Sequence, residues 1–186
     1  MDEVIAAYSH ARWYLGSANL GFAAAVNALA REVPKHNLLL LNPDATLQGP
    51  LSGTFAALRK PRVAATAPLV TNNNADPNRY RAWDVAHREQ TLTRALVSYA
   101  GYSSRIRGRR WSELYRTPPT VVGGYLTGAC LAISRDAWDA IGSFDEEFFL
   151  YGEEAEWQRR ARSVGWSIEL VDEPGIVHTE IGRAHV

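Results

Sequence analysis

The stretch Leu38-Leu39-Leu40-Leu41-Asn42-Pro43-Asp44 decides the reading of this chain, because an unbroken apolar run of strand length stops abruptly at a polar turn. A run without polar alternation is the pattern of a strand covered on both faces in a parallel sheet. On its amino-terminal side Pro34 closes a predicted helix in which Phe22, Val26, Leu29 and Val33 form one apolar stripe. Ala23 and Asn27 lie on a second, small-residue face of that helix, able to approach a neighbour closely. On the other side Leu51 to Leu58 predicts a helix, Val63 to Val70 a strand and Arg135 to Ile141 a short helix. Glu153 opens a further helix with Trp157, Ala161 and Val164 at i, i+4 and i+7, which Gly165 ends. Ser167 to Val171 and Ile176 to His178 read as strands, and Val121 to Ser134 as a strand pair. Asp2 to Ala11 predicts a helix and Arg12 to Leu15 a short strand. The alternation of elements predicts an α/β fold with a mixed, mostly parallel sheet flanked by helices.

The 186 residues suffice for one domain, 1–186, and not for two separate cores. Twenty basic residues balance twenty acidic ones, so no long-range field points to nucleic acid, which is excluded as a partner class. The single cysteine, Cys130, rules out an internal disulfide framework or a multi-cysteine metal site and sits among apolar neighbours as a buried thiol does. No apolar run is long enough to span a membrane, and Met1-Asp2-Glu3 is not the basic start of a signal peptide, so a soluble protein is expected, and the lone cysteine fits a reducing cytoplasm best. The stretch Tyr80 to Pro119 carries eight arginines and two tryptophans, is too polar for core, and reads as a variable insertion, 80–119.

Three places could carry chemistry. Asp44 follows an apolar strand directly, and open α/β sheets bind ligands outside the carboxyl ends of their strands; Asn-Pro-Asp is also ordinary turn sequence. Glu153, Glu154 and Glu156 open a helix, where acids are favoured by the macrodipole alone. The approach to them, Phe148-Phe149-Leu150-Tyr151-Gly152, sets the carboxylates beside an apolar wall, the setting that raises a carboxyl pKa and suits a general base. His178 ends a short apolar strand, where a lone histidine is either structural or, in suitable company, a ligand.

Four blocks in order supply that company: Asn19-Leu20-Gly21-Phe22 through Asn27; Leu41-Asn42-Pro43-Asp44-Ala45-Thr46; Gly124 through Arg135 with Gly142-Ser143-Phe144-Asp145-Glu146; and Phe148 to Trp157 with Arg160, Gly165-Trp166 and His178. On these the chain resembles the family 2 glycosyltransferases of the GT-A fold, in particular the rhamnosyltransferase-like branch that builds bacterial cell-surface polysaccharides. The resemblance implies an inverting, metal-dependent transferase taking a sugar from a nucleotide-diphosphate donor, such as a UDP- or dTDP-sugar, to a hydroxyl of a glycan or lipid-linked acceptor. Asp44 matches the acid of the family's metal motif and His178 the late histidine that helps hold the metal or the diphosphate. Hard oxygen ligands suit magnesium or manganese. Asn42 is left a neutral contact at most, and Asn19, Gly21 and Asn27 match the block lining the nucleotide pocket. Glu153-Glu154 stands where the family commonly has Glu-Asp, which makes Glu154 the general base, and Trp157, Arg160 and Trp166 are expected to brace its helix.

Two departures accompany the match. The base position holds glutamate, whose carboxylate reaches one methylene further than aspartate. In the family two strands precede the Asn-Leu-Gly block, and here only 18 residues do. The expected fold is therefore incomplete at its amino terminus, with the Leu38–Leu41 strand left at an unpaired edge and prone to self-association. The rival reading is a truncated, non-catalytic remnant acting through protein association. A peripheral contact with the inner face of the cell membrane fits a lipid-linked acceptor.

Overall fold

A computed structural model of the protein describes residues 10–14, 16, 18–76 and 78–178. The helix expected over Asp2–Ala11 lies, but for its last two residues, outside them. Residues 12–14 are irregular where a strand was expected, and Leu15 lies outside the described residues.

Helix α1 (Phe22–Glu32) starts from Gly21, held at φ 78°. A side chain there is barred twice: by that φ, and by the Phe149 ring, 2.8 Å from where a Cβ would sit. The Phe22 amide donates to the Phe149 carbonyl at 2.8 Å, so this helix start is stitched to the loop that precedes Glu153. α1 buries Ala23, Val26, Asn27 and Ala30 and leaves Leu29 and Val33 in water. The predicted stripe is thereby corrected in part: Phe22 and Val26 pack against the core, but the packed face continues through the small residues Ala23 and Ala30 and Asn27 in place of Leu29 and Val33, because alanine permits the close approach that Asn27 needs to reach its partners.

The remaining elements are β1 (Leu38–Leu41), β2 (Ala45–Leu47), α2 (Ser52–Leu58), β3 (Val63–Thr71), β4 (Ala86–Arg88), α3 (Leu92–Tyr99), β5 (Gly124–Leu126), β6 (Cys130–Ile133), α4 (Arg135–Ile141), α5 (Glu153–Ser163) and β7 (Ser167–His178). Five strands form one sheet in the order β1-β6-β3-β7-β2, and β4 pairs with β5 in a separate ribbon. The class is α/β as expected, but the sheet is mostly antiparallel: only β3–β7 pair in parallel, while β1–β6, β3–β6 and β2–β7 are antiparallel. The physical cause is β6. It runs against both β1 and β3 and sits between them, so two strands of one direction are kept from pairing.

β1 lies at the edge of this sheet and hydrogen-bonds to β6 alone among the described strands. Its outer leucines, Leu39 and Leu41, are 38% and 40% exposed, so the run expected to be covered on both faces is covered on one. The doubly covered strand is β3, whose Ala64, Ala65, Thr66 and Ala67 are fully buried under α2, α4 and α5. β5 and β6, expected to pair with each other, go to different sheets. The link between them, 127–129, therefore bridges the two. Cys130 is buried as expected, and burial pushes its thiol up to about 11.

Candidate active site

The site is assembled from two strand registers and one helix start. β2 lies against β7 with Ala45 opposite His178, which sets the Asn42–Asp44 turn beside the end of β7. There His178 Nε2 stands 2.9 Å from Asp44 Oδ1 and 3.2 Å from Asn42 Nδ2. The histidine is buried and its Nδ1 has no hydrogen-bond partner, while the Asp44 side chain stays open to water. Register also binds Leu41 to Cys130, and the Asn42 amide donates to the Ala129 carbonyl at 3.1 Å. One end of the 127–129 link is thus fastened to the Asn42–Asp44 turn.

Its other end faces α5. That helix begins after Gly152 in a left-handed conformation (φ 102°), and Gln158, one turn on, accepts from the Leu126 amide and donates to the Leu126 carbonyl, both at 2.8 Å. This two-handed grip on β5 fixes the first turn of α5 against the link. Burial raises the Glu154 carboxyl above its ordinary range, opposed by backbone N–H groups that include Gly152, Gly128 and Ala155. One Glu154 oxygen, Oε2, is buried without a partner. A carboxylate held this way is poorly solvated and ready to accept a proton. Tyr125 lies within its electrostatic reach; burial pushes the phenol up to about 12, a side-chain hydrogen bond from Gln90 opposes this, and the Glu113 and Glu154 charges add to it.

The neighbouring acids differ. Glu156 is taken by Arg160, whose Nε donates to its carboxylate at 2.8 Å, and by Arg159 at 3.4 Å. Glu153 is buried, with Oε2 lacking a partner, and its carboxyl is also raised, first by burial and to a lesser degree by the Glu154 charge. Two of the braces expected for α5 are present: Trp157 Nε1 donates to the Gly142 carbonyl at 2.7 Å, and Arg160 holds the carbonyls of Ile141 and Ser143; the Trp166 ring instead lies under the Arg62 guanidinium at 5.5 Å, in the turn before β3.

The residues expected to line a nucleotide pocket are engaged within the fold. Asn19 Oδ1 accepts from the Gly21 amide at 3.0 Å and shapes the turn into α1. Asn27, buried, donates to the Phe144 carbonyl and to Glu146 Oε1, each at 2.9 Å, and accepts from the Phe144 amide at 3.0 Å. Both ends of its amide hold the 142–146 turn. Asn27→Ala orphans a buried N–H and C=O together and is expected to cost about 2–4 kcal/mol of stability, measured by urea unfolding. A loss within the ordinary range of a surface substitution would contradict that role. Gln158 escapes a sequence reading, since a glutamine between Trp157 and Arg159 carries no periodic signal.

Comparison with known proteins relates the chain distantly to a glycosyltransferase. The relative is the N-acetylglucosaminyl-diphospho-decaprenol L-rhamnosyltransferase of Mycobacterium tuberculosis, in strains CDC 1551 / Oshkosh and ATCC 25618 / H37Rv, with 26% identity over 188 aligned residues. The alignment takes in 92% of this chain, which spans 59% of the length of those relatives. No family model matches the chain.

Proposed function

We propose that the chain carries the catalytic centre of an inverting, metal-dependent glycosyltransferase that moves a sugar from a nucleotide-diphosphate donor to a hydroxyl of a lipid-linked glycan. The observation that carries this reading is the three-residue link 127–129, with the Asn42 amide of the Asn42–Asp44–His178 cluster bonded to Ala129 and the Glu154 carboxylate within reach of the Gly128 N–H. The distant rhamnosyltransferase supports it, and its name supplies the acceptor class.

A divalent cation fits the cluster on the chemistry of its donors. Among the described residues no group of three or more histidine, cysteine, aspartate or glutamate side chains gathers for a metal. One carboxylate and one imidazole nitrogen, 2.9 Å apart, instead suit magnesium or manganese completing its shell with substrate phosphates. Adjacent ligands around an octahedral ion with bonds of about 2.1 Å stand roughly 3 Å apart. Asp44 and His178 would hold the ion, and Asn42, whose amide contacts the same imidazole nitrogen, would yield that nitrogen to it. A bound cation would supply charge neutralisation for the leaving diphosphate. Glu154 takes the proton of the acceptor hydroxyl while that oxygen attacks the anomeric carbon, the bond from that carbon to phosphate breaks, and the configuration inverts.

Calorimetric titration of the chain with UDP and dTDP, with manganese and with chelator, tests the donor half. Binding that requires the ion is expected; equal affinity in chelator would remove the metal from the reading. Transfer from a dTDP- or UDP-sugar to a polyprenyl-diphosphate-linked N-acetylglucosamine tests the acceptor half.

A further inference from the structure

The 91–120 region holds a surface that the transferase reading does not use. Along α3, Leu92, Leu96 and Tyr99 recur at i, i+4 and i+7, and they are 79%, 60% and 93% exposed. No residue of α3 is buried, yet the helix is well made: the Thr91 hydroxyl caps it by accepting from the Arg94 amide at 3.3 Å. Arg94 ties the helix to the following turn, donating from Nε to the Arg110 carbonyl at 3.1 Å, and the Tyr102 amide donates to the Val97 carbonyl at 3.0 Å. Exposed Tyr102 and Trp111 are thereby set next to the stripe, each under an arginine, Arg105 and Arg110 respectively, at 5.4 and 5.2 Å.

Charge in this region is one-sided. Its only acid, Glu113, is buried and accepts from Ser98 and Gln90. Arg107 pairs with Asp84 behind the surface. Exposed Arg105, Arg109, Arg110 and Arg116 form no ion pair among the described residues. In a chain whose charges balance overall, this is a local positive field around an apolar stripe.

We propose that α3 and the 102–111 turn dock the protein on an anionic lipid bilayer. Leu92 and Leu96 enter the boundary of the acyl region, Tyr99, Tyr102 and Trp111 sit at the level of the headgroups, and the exposed arginines meet lipid phosphates. Nucleic acid shares the phosphate chemistry, but it offers nothing to the aliphatic stripe. No helix among the described residues is long and apolar enough to cross a membrane, so the contact is one that lies on the surface. The proposal stands on these exposed side chains alone, and its failure leaves the transferase reading untouched.

Co-sedimentation of the full chain with phosphatidylglycerol-containing vesicles and with pure phosphatidylcholine vesicles tests it. Binding to the anionic vesicles alone, weakening as salt rises, is the expected result. The triple variant Arg105→Ser, Arg109→Ser, Arg110→Ser should lower partitioning on the order of 10²-fold. Leu96→Asp with Tyr99→Asp should abolish it, whereas Arg59→Ser, at an exposed site elsewhere, should bind as wild type. The arginine variant removes no ion pair and gives up only the stacking of Arg105 and Arg110 on two exposed rings, so it decides the matter should the apolar one melt. Absent wild-type binding, or equal loss in Arg59→Ser, overturns the proposal. So does vesicle binding untouched by the patch variants while self-association in sedimentation velocity, or binding to a DNA duplex, is lost.

Discussion

Glu154→Gln is expected to lower sugar transfer by a factor of about 10² to 10⁴, the range that a positioned proton acceptor contributes, while nucleotide affinity stays at the wild-type value. The substitution keeps shape and hydrogen-bonding reach and removes only the capacity to take a proton. Glu156→Gln is the matched control: its carboxylate is occupied by Arg160, so it should weaken the helix brace without a comparable fall in turnover. Retained turnover in Glu154→Gln would take Glu154 out of the mechanism.

The same side chain sets two pH dependences, whose signs follow from burial raising its pKa in the folded state. The base form appears only as pH climbs through the raised value, so the acidic limb of the rate profile should lie above the ordinary carboxylate range of about 4.3. For stability, the favourable contribution is full below the unfolded pKa and is lost as pH rises through the higher folded one. At neutral pH the wild type therefore carries a destabilising buried charge, to which Glu153 adds in the same direction. Glu154→Gln should melt at a higher temperature than wild type at neutral pH and lose that advantage in acid. An inactive variant with a raised melting temperature is the signature of a residue kept for chemistry at the expense of stability.

The second large effect is expected at the other end of the link. Asp44→Ala should weaken manganese-dependent binding of UDP or dTDP by at least about 10- to 100-fold, the loss that follows removal of even a supporting contact to a metal. In chelator it should bind as wild type does. His178→Asn should behave alike through the lost ring nitrogen, with a cost in stability because the histidine is buried. Asn42 contacts only the imidazole nitrogen that would go to the ion, so Asn42→Ala should leave metal-dependent binding close to the wild-type value. Unchanged metal dependence in both Asp44→Ala and His178→Asn would make the 2.9 Å contact a structural ion pair and nothing more.

How much of this was legible beforehand differs from element to element. α4 runs Arg135–Ile141 as its sequence predicts, because the signals are local: the Ser134 hydroxyl accepts from the Ala137 amide, and Gly142, at φ 93°, stops the helix. α5 begins at Glu153 and closes before Gly165, whose φ of 85° again needs no distant partner. Asp44, the Glu153–Glu156 acids and His178 each follow an apolar segment, a contrast written within a few residues, but it was the resemblance to the family 2 glycosyltransferases that chose Glu154 among the acids and made ligands of Asp44 and His178.

What lay beyond the sequence was which neighbours those residues would meet. Asn42 and His178 are 136 residues apart, and only the β2–β7 register brings them to 3.2 Å. An apolar run announces that a strand will be buried, but not on which side, in which direction, or beside which strand. Backbone pairing is open to any strand of compatible length, and the choice is made by packing across the whole sheet. So β6 slipped between β1 and β3 and turned the sheet mostly antiparallel, β5 left for a separate ribbon, and the 127–129 link, unremarkable as sequence, came to lie between the Asn42–Asp44 turn and the start of α5. On α1 the same rule chose the face: periodicity marked the large apolar residues, but Asn27 had backbone partners at the 142–146 turn, and satisfying them drew the alanine side inward. Caps, turns and helix ends are settled by interactions a few residues long, which the sequence alone determines; strand order, helix facing and the meeting of Asp44, His178 and Glu154 around one link depend on contacts distant along the chain, which only the tertiary structure decides.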